Sequence, residues 1–391
     1  MNAKPPVAAA RRLGAYYAAS FLIIGIKAPF WPVWLTGRGM GPREIAALFA
    51  AAIWLNVVTA PAIGALADRF DRRRTAMIAL AGVAILGYAG FWNAYGFWAL
   101  LGLTLVTATA QTALMPLGDS ITLAAVRQHG LDYGRVRVWG SVSFIVAAMA
   151  SGAVLAGAAT VSQGGTAVLL LVLASACVLF LACIAAPALP REAAGRPHWP
   201  LFGAMARDRR FWLFVVTAAA LQASHQLYYG FGTLYWRSLG LSDAVIGCLW
   251  AEGVVAEIVL FWLGSRLLAR LGPLGLMAAG GAAGVLRWGL AGLLPGLLPA
   301  AALQLLHALT FGATHLGAMN FLSRTVPPGA AASAQALYSG TSAGIGSGIV
   351  MLGAGALYAD YGGRAYLFMA LLSALGLLGV ARLARAEPAS W

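Results

Sequence analysis

The chain has 391 residues, 61% of them hydrophobic and only 10% charged, with a formal net charge of +14 at pH 7. A soluble domain keeps about a quarter of its residues charged, so a large water-soluble enzyme is excluded and an all-α polytopic membrane protein is implied. The basic residues sit in short runs between apolar segments, which reads as membrane topology and not as a nucleic-acid surface.

In chain order, apolar runs predict twelve spans, over 13–36, 43–67, 75–95, 97–126, 135–158 and 166–187, then 209–236, 243–268, 274–294, 297–322, 331–357 and 364–384. The first run follows a basic flank with no small-residue cleavage site and reads as an uncleaved helix. The polar stretch 188–208 divides the chain into an N-terminal bundle, 1–187, and a C-terminal bundle, 209–391. With the N-terminus inside, twenty arginines and lysines fall on the inner side and four (Arg38, Arg43, Arg237 and Arg364) on the outer. That asymmetry predicts both termini in the cytoplasm.

The halves echo each other. Gly39 and Gly240, Met40 and Leu241, Ile45 and Ile246, and Leu48 and Leu249 are each 201 residues apart. The pattern suggests two parallel repeats. Gly280 and Gly284, and Gly340, Gly344 and Gly348, have the spacing of four that lets membrane helices approach closely.

Several ionisable groups fall inside spans. The stretch 245–264 carries Glu252 and Glu257, although an acid at mid-membrane costs about 2.5–3.5 kcal/mol on insertion scales. Five residues turn a helix by about 140°, so the two acids cannot face one point; Glu257 is expected to face the solute path and Glu252 a neighbour. Such an acid can load and release a proton as its surroundings change. A structural ion pair with Arg287 is the plainer reading. Lys27 can neutralise Asp119 or Glu257, or bind a substrate carboxylate. His225 and Gln226 form a polar cluster in the seventh span, and Trp250 is one of the aromatics placed to stack on a ring. Gln111, Asn56, Gln304 and Asn320 read as interhelical hydrogen-bond partners. The three cysteines have no disulfide or metal spacing, and no metal or other cofactor is implied. Protease, hydrolase, dinucleotide and Walker A motifs are all missing, so neither an enzyme nor an ATP-driven pump is expected.

Between the second and third spans stands Gly64-Ala-Leu-Ala-Asp68-Arg69-Phe-Asp71-Arg72-Arg73-Arg74. Gly64 is expected to allow close packing, and Asp68, at a helix C-terminus where the dipole disfavours it, needs a partner. This stretch resembles the signature loop of the major facilitator superfamily, whose fold is two pseudo-symmetric six-helix bundles. The resemblance makes Gly64, Asp68, Arg69, Arg72 and Arg73 a gating loop. Phe21 to Leu35, with Pro29 and Pro32, and the run Tyr133-Gly-Arg135-Val-Arg137-Val-Trp139 are similar to the lactose permease group. The stretches 303–321 and 334–340 look most like its branch of phenylpropionate permeases and nucleoside-symporter-like members.

The resemblance implies roles. Asp119 and Arg137, 18 apart, match an acid–arginine pair that binds substrate; Arg287 and His307, 20 apart, match a proton-handling pair. Thr310 replaces that group's tenth-helix acid, and neither Glu252 nor Glu257 aligns with its eighth-helix acid, so the proton site is expected to move. The function implied is a proton-coupled symporter of a small organic solute, favoured to be an aromatic acid of phenylpropionate type, working by alternating access as a monomer among lipids of a bacterial inner membrane. Proton coupling falls to Glu257, Glu252, Arg287 and His307, and substrate binding to Lys27, Asp119, Arg137, His225, Gln226 and Trp250. An exporter by proton antiport, a sugar or nucleoside symporter, and a membrane sensor that moves nothing remain as alternatives.

Overall fold

A computed structural model describes residues 6–70, 72–157, 161–188, 207–326 and 331–386. The described chain is helical, and its contacts divide it into two units: Met1–Ala193 with Leu241–Ala251, and Ala194–Gly240 with Glu252–Trp391. The inter-bundle stretch 188–208 lies almost wholly outside the described residues, as does Asp71.

The first unit contains α1 (Pro6–Gly37), α2 (Pro42–Arg69), α3 (Arg73–Gly90), α4 (Phe97–His129), α5 (Tyr133–Ala156) and α6 (Val161–Ala185). Its helix ends follow local chemistry. Pro42 opens α2, where a missing N–H costs nothing, and the Glu44 carboxylate accepts from the Gly41 amide at 2.8 Å. The Asp132 carboxylate caps α5 by accepting from the Arg135 amide at 3.2 Å. The core around α1 is built from Leu13, Tyr16, Tyr17, Met77, Leu117 and Ile121, all buried. Gly152 of α5 and Gly247 let two backbones touch, since a Cβ on Gly152 would meet the Asp243 carbonyl and one on Gly247 the Ala148 carbonyl.

The second unit contains α7 (Arg209–Ala223), α8 (Gln226–Ser238), most of α9 (Asp243–Trp262), α10 (Gly264–Leu293), α11 (Leu297–Leu305), α12 (Thr314–Thr325), α13 (Ala331–Tyr338), α14 (Ser347–Tyr361) and α15 (Tyr366–Arg385). Two π-helical turns, Ala308–Ala313 and Ser339–Gly346, join α11 to α12 and α13 to α14. Phe214, Met277, Phe321, Tyr338 and Val380 form its core.

Several expected boundaries move. Among the described residues, ten helical stretches are long and apolar enough to cross a membrane, not twelve. The expected span 209–236 is broken at Ser224–His225 into α7 and α8, each too short alone. The stretch Ala334–Arg385 counts once among those ten by length and composition, yet it turns at Gly362 (φ 54°) between α14 and α15, so it holds the last two expected spans. The span expected over 243–268 stops at Trp262, and the chain bends again at Gly272, whose φ of 67° a side chain would resist.

The internal repeat reaches the backbone. Gly39 and Gly240 take φ values of 82° and 80°, each ending a helix in the left-handed region. Ile45 and Ile246, 201 apart, are both fully buried. On the outside, Trp98 (79% exposed), Trp262 (78%) and Leu298 (82%) present an apolar surface suited to lipid.

Close approach is concentrated at particular glycines. A Cβ on Gly280 would press on the Thr314 hydroxyl and lie 2.8 Å from the Leu309 carbonyl, whereas one on Gly289, further along the same helix, would meet nothing within 4 Å. Gly280→Ala is therefore expected to lower stability by about 1–3 kcal/mol, while Gly289→Ala leaves it unchanged or slightly raised. Thermal unfolding of the two purified variants in detergent checks this. Equal midpoints would show that the α10–α12 contact is not tight. Gly64 behaves differently from expectation: a Cβ there would meet nothing within 4 Å, so close packing is not its role in this structure.

Candidate functional site: a polar network in each unit

In the second unit, buried polar side chains converge where α7 breaks and the first π turn begins. Arg287 of α10 is 1% exposed. Its Nη1 donates to His307 Nδ1 at 3.0 Å and to Thr310 Oγ1 at 2.9 Å, and its Nη2 donates to Gln304 Oε1 at 2.5 Å. The Gln304 amide in turn donates to Tyr228 Oη at 3.0 Å. The guanidinium lies over the rings of Tyr228 and Trp288, 5.1 and 4.3 Å from their centroids.

These partners assign the histidine tautomers. A guanidinium only donates, so His307 Nδ1 must accept and its proton sits on Nε2, the atom 3.8 Å from Glu257 Oε2. His225 Nδ1 faces the Gln222 carbonyl at 3.1 Å and must donate to it, so Nε2 accepts from the Thr310 hydroxyl at 3.1 Å. The order is therefore Arg287 to Thr310 to His225 on one side, and Arg287 to His307 to Glu257 on the other.

Local structure explains why these atoms meet. At the α7–α8 break, Ser224 Oγ donates to the Leu221 carbonyl and accepts from Trp288 Nε1 at 3.1 Å. The π turn after His307 brings Thr310 beneath Arg287; such turns are frequent at functional sites. On α9, Gly253 lies against the His307 ring, and Gly312 of the π turn lies against Glu257 Cγ and Leu260, so two glycines make room for the carboxylate beside the imidazole.

Of the two acids on α9, Glu257 joins this network; Glu252 makes no ion pair or hydrogen bond among the described residues. The expected direct pairing of Glu257 with Arg287 is corrected to a contact through His307, because Arg287 spends its donors on neutral acceptors. Gln226 is buried, yet its side chain makes no hydrogen bond among the described residues. Trp250 is buried too, but in the Leu241–Ala251 segment that clusters with the first unit.

In the first unit, Lys27 Nζ donates to Tyr88 Oη at 2.7 Å and to Gln111 Oε1 at 3.0 Å, and lies 5.7 Å from the Trp31 ring centroid. It does not neutralise Asp119, one of the possibilities the sequence left open. Asp119 Oδ1 accepts from Tyr17 Oη at 2.5 Å and Tyr133 Oη at 3.1 Å. Arg137 covers the rings of Tyr17 and Phe21 at 5.1 and 4.3 Å. The expected Asp119–Arg137 pair is thus interrupted by the Tyr17 ring, whose hydroxyl binds the acid and whose face binds the cation. In the 64–74 stretch, Arg73 Nε pairs with Asp68 Oδ1 at 2.6 Å, supplying the partner that a carboxylate at a helix C-terminus requires. Arg69 lies 6.0 Å from the Phe70 ring, and Arg72 lies just ahead of α3.

This geometry has known relatives. The MFS_1 like family matches residues 11–370. The chain belongs to that family, within the major facilitator superfamily. It is 31% identical to the probable 3-phenylpropionic acid transporter of Escherichia coli (strain K12), over 93% of this chain and 95% of that one. It is 26% identical to the maltose permease of Geobacillus stearothermophilus, over 95% and 94%. Its fold matches the crystal structure of the nucleoside transporter NupG with a TM-score of 0.85, covering 97% of this chain and 99% of that one. At 16% sequence identity that likeness concerns the fold alone. This facilitator is accordingly a multi-pass membrane transporter.

Two partners of the charged groups, Tyr17 and Tyr88, were not expected from the sequence, and Thr310 was read only as the loss of an acid. A signal was available: Tyr17 and Asp119, and Tyr88 and Lys27, lie at matching depths of their helices, and a buried charge in a bilayer needs such hydroxyls.

Proposed function

We propose that this facilitator is a proton-coupled symporter of small aromatic carboxylates, phenylpropionate-like in type, working by alternating access. Glu257 exchanges the proton, and His307, oriented by Arg287, is the partner that senses its charge. Lys27 binds the substrate carboxylate, with Trp31 beside it to receive the ring; Asp119 and Arg137 hold that end of the first unit in shape around Tyr17. The observation that carries the reading is Glu257 standing 3.8 Å from an imidazole nitrogen whose proton Arg287 directs toward it. A carboxylate so placed gains or loses a favourable contact whenever it changes charge. For the substrate, support comes from a lysine whose hydrogen-bond partners are neutral and whose neighbours are aromatic. The name of the 31%-identical relative agrees with it. The arginine asymmetry supports a bacterial inner membrane with both termini in the cytoplasm.

Inside-out and right-side-out vesicles test the whole reading with radiolabelled 3-phenylpropionate. An acid-outside gradient imposed on right-side-out vesicles is expected to drive accumulation, and collapsing it with a protonophore to abolish accumulation. Gradient-driven loss of solute instead would make the protein an antiporter. Movement of no aromatic acid under either gradient would remove the substrate assignment.

A further inference from the structure

One cavity in the second unit adjoins the proton network, sharing Arg287, Gln304 and Tyr228 with it, and no role has been given to the space it encloses. It measures about 380 Å³ counting its open mouth, and has room for about two water-sized groups. Its lining runs from Leu294, 50% exposed, to the buried Arg287, 1% exposed. The walls carry Trp236, Trp288, Tyr228 and Tyr366. No aspartate or glutamate lines it.

The lining is one-sided in its hydrogen-bonding capacity. Arg287 is a buried cation whose hydrogen bonds go to His307, Thr310 and Gln304, none of them a carboxylate. The acceptor of Gln304 is taken by that guanidinium. The Tyr366 hydroxyl and the Trp236 indole N–H, on residues 3% and 6% exposed, make no hydrogen bond to another described residue. A polar group that opens on a cavity takes its partner from what fills it, and a buried charge is costly unless a counter-charge comes to it. A pocket with a buried cation in its lining, two donors that make no hydrogen bond to a described residue and no acid is built for a negative ligand. Its size admits a halide-sized anion and excludes an aromatic carboxylate.

We propose that this cavity binds a halide-sized monovalent anion against Arg287, held also by Tyr366 and Trp236. The site is separate from the solute site proposed at Lys27, and its existence does not depend on which solute is carried. A bound anion would neutralise Arg287 without displacing His307, leaving the His307–Glu257 contact intact.

The test uses the purified full-length protein in detergent, with sodium bromide replacing sodium gluconate at constant ionic strength. The thermal unfolding midpoint is expected to rise and saturate with bromide, as binding to the folded state alone requires. Sulfate, too large for the cavity, is expected to give no saturable rise. Arg287→Gln is expected to abolish the bromide effect. Tyr366→Phe, which removes one donor and no charge, is expected to raise the half-saturating bromide concentration at least about threefold, and it decides the matter should Arg287→Gln fail to fold. Crystals soaked in bromide should show an anomalous peak inside the cavity. A bromide response that does not saturate, or one identical in wild type and Tyr366→Phe, overturns the proposal, as does a bromide peak found elsewhere with this cavity holding only water.

Discussion

Replacing Glu257 by Gln is expected to abolish uphill transport while sparing exchange. Each pH unit across the membrane is worth about 1.4 kcal/mol per proton, so coupling to one proton across a two-unit gradient supports up to ~100-fold accumulation of solute. Glutamine keeps the side chain's volume and its reach toward His307 Nε2 but cannot ionise. The variant should take solute to equal concentrations inside and out and no further. Exchange of labelled for unlabelled solute, which needs no net proton movement, should continue at a rate near that of wild type. Parallel measurement of gradient-driven accumulation and equilibrium exchange in proteoliposomes makes the check. Retained accumulation in Glu257→Gln would move the proton elsewhere, with Glu252→Gln the next variant to measure. Loss of both activities together would mean that Glu257 is needed for packing or solute binding.

Lys27→Gln should weaken carboxylate binding selectively. A hydrogen bond to a charged group contributes about 1.5–3 kcal/mol, so the Kd for 3-phenylpropionate is expected to rise about 10- to 100-fold. The neutral amide of the same acid, which cannot form an ion pair, supplies the comparison. Its competition against transport should change little, because glutamine can still hydrogen-bond Tyr88 and Gln111, the groups that now hold Lys27. An equal loss for acid and amide would show that Lys27 only holds α1 against α3 and α4. A solute-binding role would then have to pass to Arg137, whose guanidinium is already stacked on Tyr17 and Phe21.

The general fold was legible because a bilayer leaves few choices. Apolar runs must become helices, and the signature stretch from Gly64 to Arg74 pointed to the family. The repeat was legible for a similar reason: Gly39 and Gly240 both need the left-handed backbone at the end of a helix, so the same residue recurs. The site was legible only in part. A separation of five positions puts Glu252 and Glu257 on different sides of α9, and Glu257 is the one beside His307. Breaks in regularity were harder to see. The α7–α8 break carries no proline or glycine, only Ser224 and His225, whose side chains turn back on the carbonyls of Leu221 and Gln222. The π turn over Ala308–Ala313 has no sequence marker that separates it from a plain helix. The Asp119–Arg137 pair that the family resemblance implied is not direct here, because the Tyr17 ring serves the acid with its hydroxyl and the cation with its face.

The assigned tautomer of His307 bears on how tightly such a transporter keeps proton flow tied to its cargo. With Nδ1 occupied by Arg287 and the hydrogen on Nε2, the ring has no vacant lone pair. It cannot pick up a second proton unless the guanidinium lets go first. Under the proposed coupling the imidazole is then a stopper, not a wire: a proton traded by Glu257 with one side would have no route through the ring toward Thr310 and His225. Idle leakage through the empty carrier would then be set by how often Arg287 swings away, so the background conductance of unloaded vesicles becomes a direct clock for the lifetime of a single 3.0 Å hydrogen bond.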